Sequence, residues 1–266
     1  EDCPWREQAL YAMDSLNQAV CGYYCFGEYE FAAASLRMLG RGMQPDGFLE
    51  LHTPGKEIVT IPYFTFMWAI GVRDYLRYSG DRALIRELWP SIRQTAQRRL
   101  SECQNGLLPV PTDTKYWSFY EWNDLMSGEP IYRDAPLAPR IDAPYQMFFL
   151  LFLDAAIELA EELGESEDAA ILRRGCVEAR RACHAMFWDA KSGSYCTFAH
   201  EKDGAFHAED GARSELVQAL AVLSGTAGQA ERERLLPALA AGENDWTPCT
   251  LSMIRFKYEA LLAQPE

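Results

Sequence analysis

The spacing of apolar residues is the feature that most constrains the fold of this chain. Through most of its 266 residues, apolar side chains recur three and four positions apart, which places them on one face of an α-helix. Gly and Asp residues at the expected stop and cap positions, as in Ser79-Gly80-Asp81, separate consecutive helices. The spacing predicts nine helices, over about 5–24, 28–41, 62–79, 82–103, 143–163, 167–187, 213–224, 230–240 and 250–263.

Three long stretches break the helical pattern: 42–60, 107–141 and 189–211. They are rich in Gly, Pro, Asp and aromatic residues, and one holds a short β-like piece at 193–198. Long loops between helix pairs are usually functional. The pattern predicts an all-α fold, a closed ring of helical hairpins with the loops gathered on one face. No linker divides the chain, so we expect one domain over residues 1–266.

The charge balance excludes several classes of partner. The formal net charge is −14, which repels phosphates and anionic lipid headgroups. The longest strongly apolar run, Met147–Leu153, is shorter than the roughly 20 residues that a bilayer span needs. We therefore expect no nucleic-acid partner and no membrane partner.

The sequence contains no pattern that predicts a cofactor or a metal. It has no glycine-rich phosphate loop and no zinc-peptidase or serine-hydrolase motif. The four histidines and eight cysteines show no metal-ligand spacing. We interpret the cysteines as structural thiols, which indicates a reducing compartment and a cytoplasmic protein.

The densest group of polar residues is at the start of the chain, from Asp2 to Asp14. A helix that begins near Pro4, a position where proline is tolerated, would place Glu7 and Asp14 seven residues apart on one face. Two carboxylates and an aromatic side chain would then face one cleft. The ordinary interpretation is a cap, solvated first-turn charges and a surface acid, and the spacing alone leaves both interpretations open.

This opening motif resembles the signature of the α-L-rhamnosidases of glycoside hydrolase family 78. The resemblance rests on Asp2-Cys3-Pro4, Arg6-Glu7 and a following aromatic and aspartate. Further segments resemble the family at 61–63, 78–81, 88–90, 119–122 and 248–256. The resemblance implies an (α/α) barrel, with an inner and an outer ring of six helices each, and hydrolysis of terminal α-L-rhamnosides with inversion. Inversion requires two carboxyl groups roughly 6.5 to 9.5 Å apart.

The resemblance also implies roles for individual residues. Glu7 matches the general acid, and Asp2, Arg6 and Asp14 match positions that bind the sugar. Tyr11 lies where the family often has Gly-Trp. The resemblance therefore implies that Tyr11 is the aromatic residue in this part of the wall of the sugar site.

Two aromatic residues of the 107–141 loop are further candidates for substrate binding. Trp122, in a Glu-Trp pair that resembles one in the family, is the predicted platform for a sugar ring. Trp117 is a second candidate, although it could simply anchor the loop. Glu215, in contrast, has the position of an ordinary first-turn acid, and we leave it out of the predicted site.

A general acid must hold its proton near neutral pH, but Arg6 and a helix N-terminus both lower the pKa of Glu7. Burial against Trp5 or Tyr11, repulsion from Asp2 and Asp14, or a bound sugar that excludes water would raise it. The sequence leaves these three alternatives open.

The family's general base is a glutamate in a later segment that this sequence does not resemble anywhere. We therefore expect an incomplete barrel from a longer chain, with the base elsewhere and flanking β domains as partners. The expected substrate is a rhamnose-containing carbohydrate. The alternatives are another sugar-active enzyme on the same barrel, such as a uronide hydrolase or epimerase, and a non-catalytic carbohydrate-binding domain.

Overall fold

The computed structural model describes residue 5 and residues 8–55, 57, 59–129, 133–242 and 244–263. This part of the chain contains nine helices, and their positions are close to those of the nine predicted helices. The helices are α1 (Ala12–Phe26), α2 (Glu30–Arg41), α3 (Phe64–Ser79), α4 (Arg82–Glu102), α5 (Ala143–Leu163), α6 (Ser166–Phe187), α7 (Glu215–Leu223), α8 (Gln229–Ala241) and α9 (Ile254–Leu262).

The odd-numbered helices form an inner layer, in which α1 packs on α3, α3 on α5, α5 on α7 and α7 on α9. The even-numbered helices return along the outside: α2 contacts α1 and α3, α4 contacts α3 and α5, and α8 contacts α7 and α9. Because each outer helix runs back along the barrel between two inner helices, the inner helices all begin at the same end of the barrel. The predicted (α/α) barrel of helical hairpins is confirmed.

Helix α5 forms the centre of the core. It packs against α3, α4, α6 and α7, and its long run of apolar residues is buried among them. Aromatic stacking joins it to α3, with 5.1 Å between the ring centroids of Phe66 and Phe152. By length and composition alone α5 resembles a membrane-spanning helix, but most of its residues are buried inside the protein.

The loops that precede the inner helices supply five short strands. β1 (Arg140–Asp142), β4 (Phe198–Lys202) and β5 (Ala205–Ala208) form an antiparallel sheet in the order β1-β4-β5, and β2 (Trp188–Asp189) pairs with β3 (Ser194–Tyr195). The β-like piece predicted at 193–198 therefore contributes to two strands.

Contacts between the three long loops confirm that they lie on one face. Thr60 of the first loop forms a bridge with Tyr116 of the second. The second loop in turn pairs with the third, because β1 is antiparallel to β4, with Ile141 opposite Ala199. The loops thus meet at the end of the barrel where the inner helices begin.

The predicted start of the first helix is wrong. Helix α1 begins at Ala12 instead of near Pro4. Gln8 has a φ of 49°, and Tyr11 is extended, with φ −93° and ψ 143°. The Tyr11 ring packs 5.4 Å from that of His52 and 6.5 Å from that of Phe64, contacts that a helical backbone would change. The described residues 8–11 therefore do not continue α1 towards the N-terminus, and Glu7 itself lies outside the described residues.

Candidate functional site

The inner helices bring acidic and aromatic residues together at their N-terminal ends. Asp14 lies in the first turn of α1, Tyr63 immediately precedes α3, and Glu215 is the first residue of α7. The 107–141 loop adds Glu121 and Trp122. Helix N-termini favour negative charge, so this end of the barrel is suited to hold carboxylates.

Tyr63 is the buried centre of this group. Its ring stacks on Phe148 of α5 at 4.8 Å, and its hydroxyl lies 3.4 Å from the carbonyl oxygen of Tyr120. Burial raises the pKa of Tyr63, and the nearby carboxylates of Asp14 and Glu121 raise it further. Two acidic residues from distant parts of the sequence therefore lie near the same phenol.

Trp122 is presented to solvent by a tight turn. Asn123 accepts hydrogen bonds from the amides of Leu125 and Met126 through its side-chain oxygen (3.1 and 2.9 Å), a pattern that fixes short loops. The Trp122 side chain is 62% exposed. Its ring lies 4.6 Å from that of Phe119 and 5.9 Å from that of Trp117. A rigid, exposed indole on an aromatic base is suited to stack on the apolar face of a sugar.

Trp117 belongs to that base. It is only partly exposed, and its indole N–H donates to the carbonyl oxygen of Ser127 (2.9 Å). This bond connects both ends of the loop that carries Trp122. The structure thus places Trp117 beside the exposed indole, where it supports the loop.

Glu121 points in the opposite direction from Trp122 and is fully buried. Its carboxylate accepts hydrogen bonds from the amide of Thr250 and from the side-chain nitrogen of Asn123 (3.1 Å). Burial, and to a smaller extent the charge of Glu215, raise the pKa of Glu121 to about 7, although its hydrogen bonds with Thr250 and Asn123 act in the opposite direction. This carboxyl group therefore titrates near neutral pH.

Glu215 differs from its interpretation as an ordinary first-turn acid, because it is 5% exposed. One carboxylate oxygen accepts from the amide of Cys249 (3.0 Å), and the other forms an ion pair with the ammonium group of Lys257 (2.6 Å). Lys257 lies on α9, so no local sequence signal could have revealed this pair.

A second buried carboxylate that sequence reasoning missed is Asp142, directly before α5. It accepts from the Tyr120 hydroxyl (2.9 Å) and pairs with Arg140 (3.1 Å). Burial raises the pKa of Asp142, while the Arg140 charge and the Tyr120 hydrogen bond lower it. The network fixes Tyr120, the neighbour of Glu121.

Within the described residues, no group of three or more His, Cys, Asp or Glu side chains is arranged to hold a metal ion. The described part of the site offers the partly exposed carboxylate of Asp14 and the exposed indole of Trp122, a set suited to bind a sugar.

Comparison with known proteins identifies the family. The family model of the bacterial alpha-L-rhamnosidase six-hairpin glycosidase domain matches residues 1–234. The chain belongs to this family.

Solved structures agree with the assignment to the rhamnosidase family. A family 78 rhamnosidase of Bacillus sp. GL1 matches 98% of this chain and 26% of its own, with 25% identity and a TM-score of 0.84. A rhamnosidase from Klebsiella oxytoca with rhamnose bound matches 98% of this chain and 47% of its own, with 21% identity and a TM-score of 0.76. The chain thus spans between a quarter and a half of the length of these two rhamnosidases.

The barrel also occurs in another glycosidase family. A family 63 mannosylglycerate hydrolase from Thermus thermophilus matches 90% of this chain and 74% of its own, with 16% identity and a TM-score of 0.63, which shows the shared fold. A comparison with curated protein sequences gave no match.

The structure places some of the residues predicted for a rhamnosidase site. Asp14 and Tyr11 lie at the start of α1, and Tyr11 packs against Phe64, next to Tyr63. Trp122 and Trp117 lie in the loop that also carries Glu121.

The remaining three predicted site residues, Asp2, Arg6 and Glu7, lie outside the described residues. One of the alternatives for raising the pKa of Glu7 was burial against Trp5. That side chain is 97% exposed, which removes it as a source of burial.

Proposed function

We propose that this domain catalyses the hydrolysis of terminal α-L-rhamnosides with inversion at the anomeric carbon. Membership of the rhamnosidase six-hairpin family supports the sugar and the reaction class. The observation that carries the proposal is the exposed Trp122 at the same end of the barrel as Asp14. An indole platform and a carboxylate are what a site needs to hold a rhamnose ring.

In this proposal Glu7 is the general acid, which protonates the glycosidic oxygen as the leaving group departs. Asp2, Arg6 and Asp14 bind the ring hydroxyls, since carboxylates accept and a guanidinium donates hydrogen bonds in fixed directions. Tyr11 forms part of the sugar-facing wall. Trp122 stacks on the ring, supported by Trp117.

The proposal assigns the general base to no residue of this chain. Glu121 and Glu215 are buried acids at this end of the barrel, and both accept hydrogen bonds from backbone amides. A base must reach a water molecule on the face of the sugar opposite the acid, and we assign this role to neither residue, because both carboxylates are buried and already accept hydrogen bonds from the protein. We propose that the base comes from a longer protein, in which β domains flank the barrel.

Hydrolysis of a panel of aryl glycosides by the full-length protein and its Glu7→Gln variant tests the proposal. We expect release from the α-L-rhamnoside, and a loss of about 100- to 10,000-fold in the variant, the range typical of general acid catalysis. The first sugar anomer formed, followed by proton NMR, reports the stereochemistry.

Three results would contradict the proposal in different ways. Cleavage of another glycoside in preference to the rhamnoside would indicate a different enzyme on the same barrel. Rhamnose binding without turnover in the full-length protein would indicate a carbohydrate-binding domain. A Glu7→Gln variant as fast as the wild type would show that the acid is another residue.

A further inference from the structure

Two buried carboxylates bind consecutive backbone amides. Glu215 accepts from the amide of Cys249 (3.0 Å), and Glu121 accepts from the amide of the next residue, Thr250. Neither residue is more than 5% exposed. The two acids are 94 positions apart in sequence, and they meet only because the 107–141 loop and α7 converge on the segment 247–252.

The segment 247–252 connects three parts of the site. At its start, Thr247 forms a bridge with Ser214 and accepts from the amide of Glu215 (2.9 Å). In its middle it contacts Glu121, the neighbour of Trp122. Near its end, the carbonyl oxygen of Ser252 accepts from the side-chain nitrogen of Asn17 on α1 (3.1 Å). The position of this segment therefore relates the indole platform to the helix that carries Asp14.

Burying two carboxyl groups close together lowers the free energy of unfolding, because each loses hydration in the interior and their charges repel. Lys257 pairs with Glu215, and the groups that face Glu121 include Asn123, Tyr63, Cys249, Thr250 and Glu215. None of these five is a cation. The burial of Glu121 beside Glu215 is consistent with a role in geometry rather than in stability.

We propose that Glu121 is a positioning residue. Together with Glu215 it binds the amides of Thr250 and Cys249, and so fixes the segment 247–252, Trp122 and α1 relative to one another. This inference rests on the proposed function, because the positioned groups are those that would hold the sugar. Glu121 itself does not contact the substrate, since its side chain is buried beneath the turn.

The variant Glu121→Gln, in the full-length protein, tests the inference. A glutamine can accept from only one of the two donors, Thr250 and Asn123, because its amide nitrogen is itself a donor. We expect kcat/KM for an aryl α-L-rhamnoside to fall by up to about 100-fold, the cost of slightly misplaced binding groups. Asp124→Asn is the matched control, since Asp124 is exposed in the same turn and the substitution makes the same carboxyl-to-amide change.

Amide hydrogen exchange of residues 247–252 provides a readout that does not depend on catalysis. We expect faster exchange in Glu121→Gln and wild-type exchange in Asp124→Asn. Glu215→Gln removes the other half of the arrangement and replaces Glu121→Gln if that variant does not fold.

Two results would overturn the inference: wild-type kcat/KM in Glu121→Gln, or a loss of activity with unchanged exchange in 247–252, which would mean that Glu121 acts on the sugar itself. If the wild-type protein cleaves no α-L-rhamnoside, the proposed function fails. The exchange measurement alone then decides whether Glu121 holds the segment.

Discussion

At the scale of single residues, the site depends on two neighbours in the sequence that have opposite environments. Glu121 is fully buried, whereas Trp122 is 62% exposed. The Asn123 turn makes this possible, because it reverses the chain directly after the indole. Trp122 can therefore contact a ligand, whereas Glu121 contacts only other residues of the protein.

Replacing Trp122 by alanine tests the platform. We expect KM for an aryl α-L-rhamnoside to rise about tenfold, equivalent to about 1.4 kcal/mol of lost stacking, with a smaller effect on kcat. The free energy of unfolding should change little, because the side chain is mostly exposed. Phe31→Ala is the control: this residue is 69% exposed on the outer helix α2 and should affect neither quantity. An unchanged KM in Trp122→Ala would remove Trp122 from the site.

Glu121 also predicts a pH dependence of stability. Its pKa rises from the ordinary 4.5 to about 7 in the folded protein, so between these values the folded state retains a proton that the unfolded state releases. The free energy of unfolding should therefore fall as the pH rises through this window, by at most about 3 kcal/mol.

Denaturant unfolding measures this effect. In Glu121→Gln this contribution is absent, so the stability of the variant relative to the wild type should improve as the pH rises from 4.5 to about 7. A difference in stability that stays constant over this range would show that Glu121 does not titrate there.

The two buried glutamates also show how far the sequence could predict the site. The sequence was enough to single out the pair Glu121-Trp122, because it resembles a pair in the family. The environment of Glu215 was not, because its partners Lys257 and Cys249 are 42 and 34 positions away and no local pattern records such contacts.

At the scale of helices, caps at the two ends of the barrel have comparable geometry and different neighbours. At the end away from the site, Asp81 caps α4 by accepting from the amide of Ala83 (2.8 Å). At the site end, Ser214 caps α7 by accepting from the amide of Val217 (3.2 Å). Each cap satisfies an amide that the helix leaves unpaired.

Removing each cap separates stability from function. Asp81→Ala and Ser214→Ala should each lower the free energy of unfolding by about 1 kcal/mol. Only Ser214→Ala should also raise KM, because Ser214 precedes Glu215 and forms a bridge with Thr247. Denaturant unfolding and steady-state kinetics on both variants check this. Equal kinetic effects would mean that the two ends of the barrel do not differ in function.

Helix positions were predictable where apolar spacing and caps agree, as at α3 and α4, whose boundaries lie within two residues of the predicted ones. The start of α1 was not. The segment before Ala12 contains no helix-breaking residue between Trp5 and Tyr11, yet Gln8 has a positive φ. The contact of Tyr11 with His52 and Phe64 is tertiary, and it overrides a local preference for helix.

At the scale of the whole molecule, the hairpin topology gathers the N-termini of the inner helices at one end. Their dipoles favour ionised carboxylates, which suits Asp14 as a hydrogen-bond acceptor for sugar hydroxyls. The net charge of −14 is compatible with a neutral carbohydrate and unfavourable for a phosphate-bearing ligand. The positive ends of the same helix dipoles make a protonated general acid harder to maintain, so the role proposed for Glu7 requires an environment that raises its pKa.

The most direct test of the proposed reaction compares two leaving groups in Glu7→Gln. A nitrophenyl α-L-rhamnoside needs more help from a general acid than a dinitrophenyl α-L-rhamnoside, whose leaving group departs without protonation. We predict that the variant loses about 100- to 10,000-fold in kcat/KM with the first substrate and much less with the second. Equal losses with both substrates, or no loss with either, would contradict the role of Glu7 as the acid.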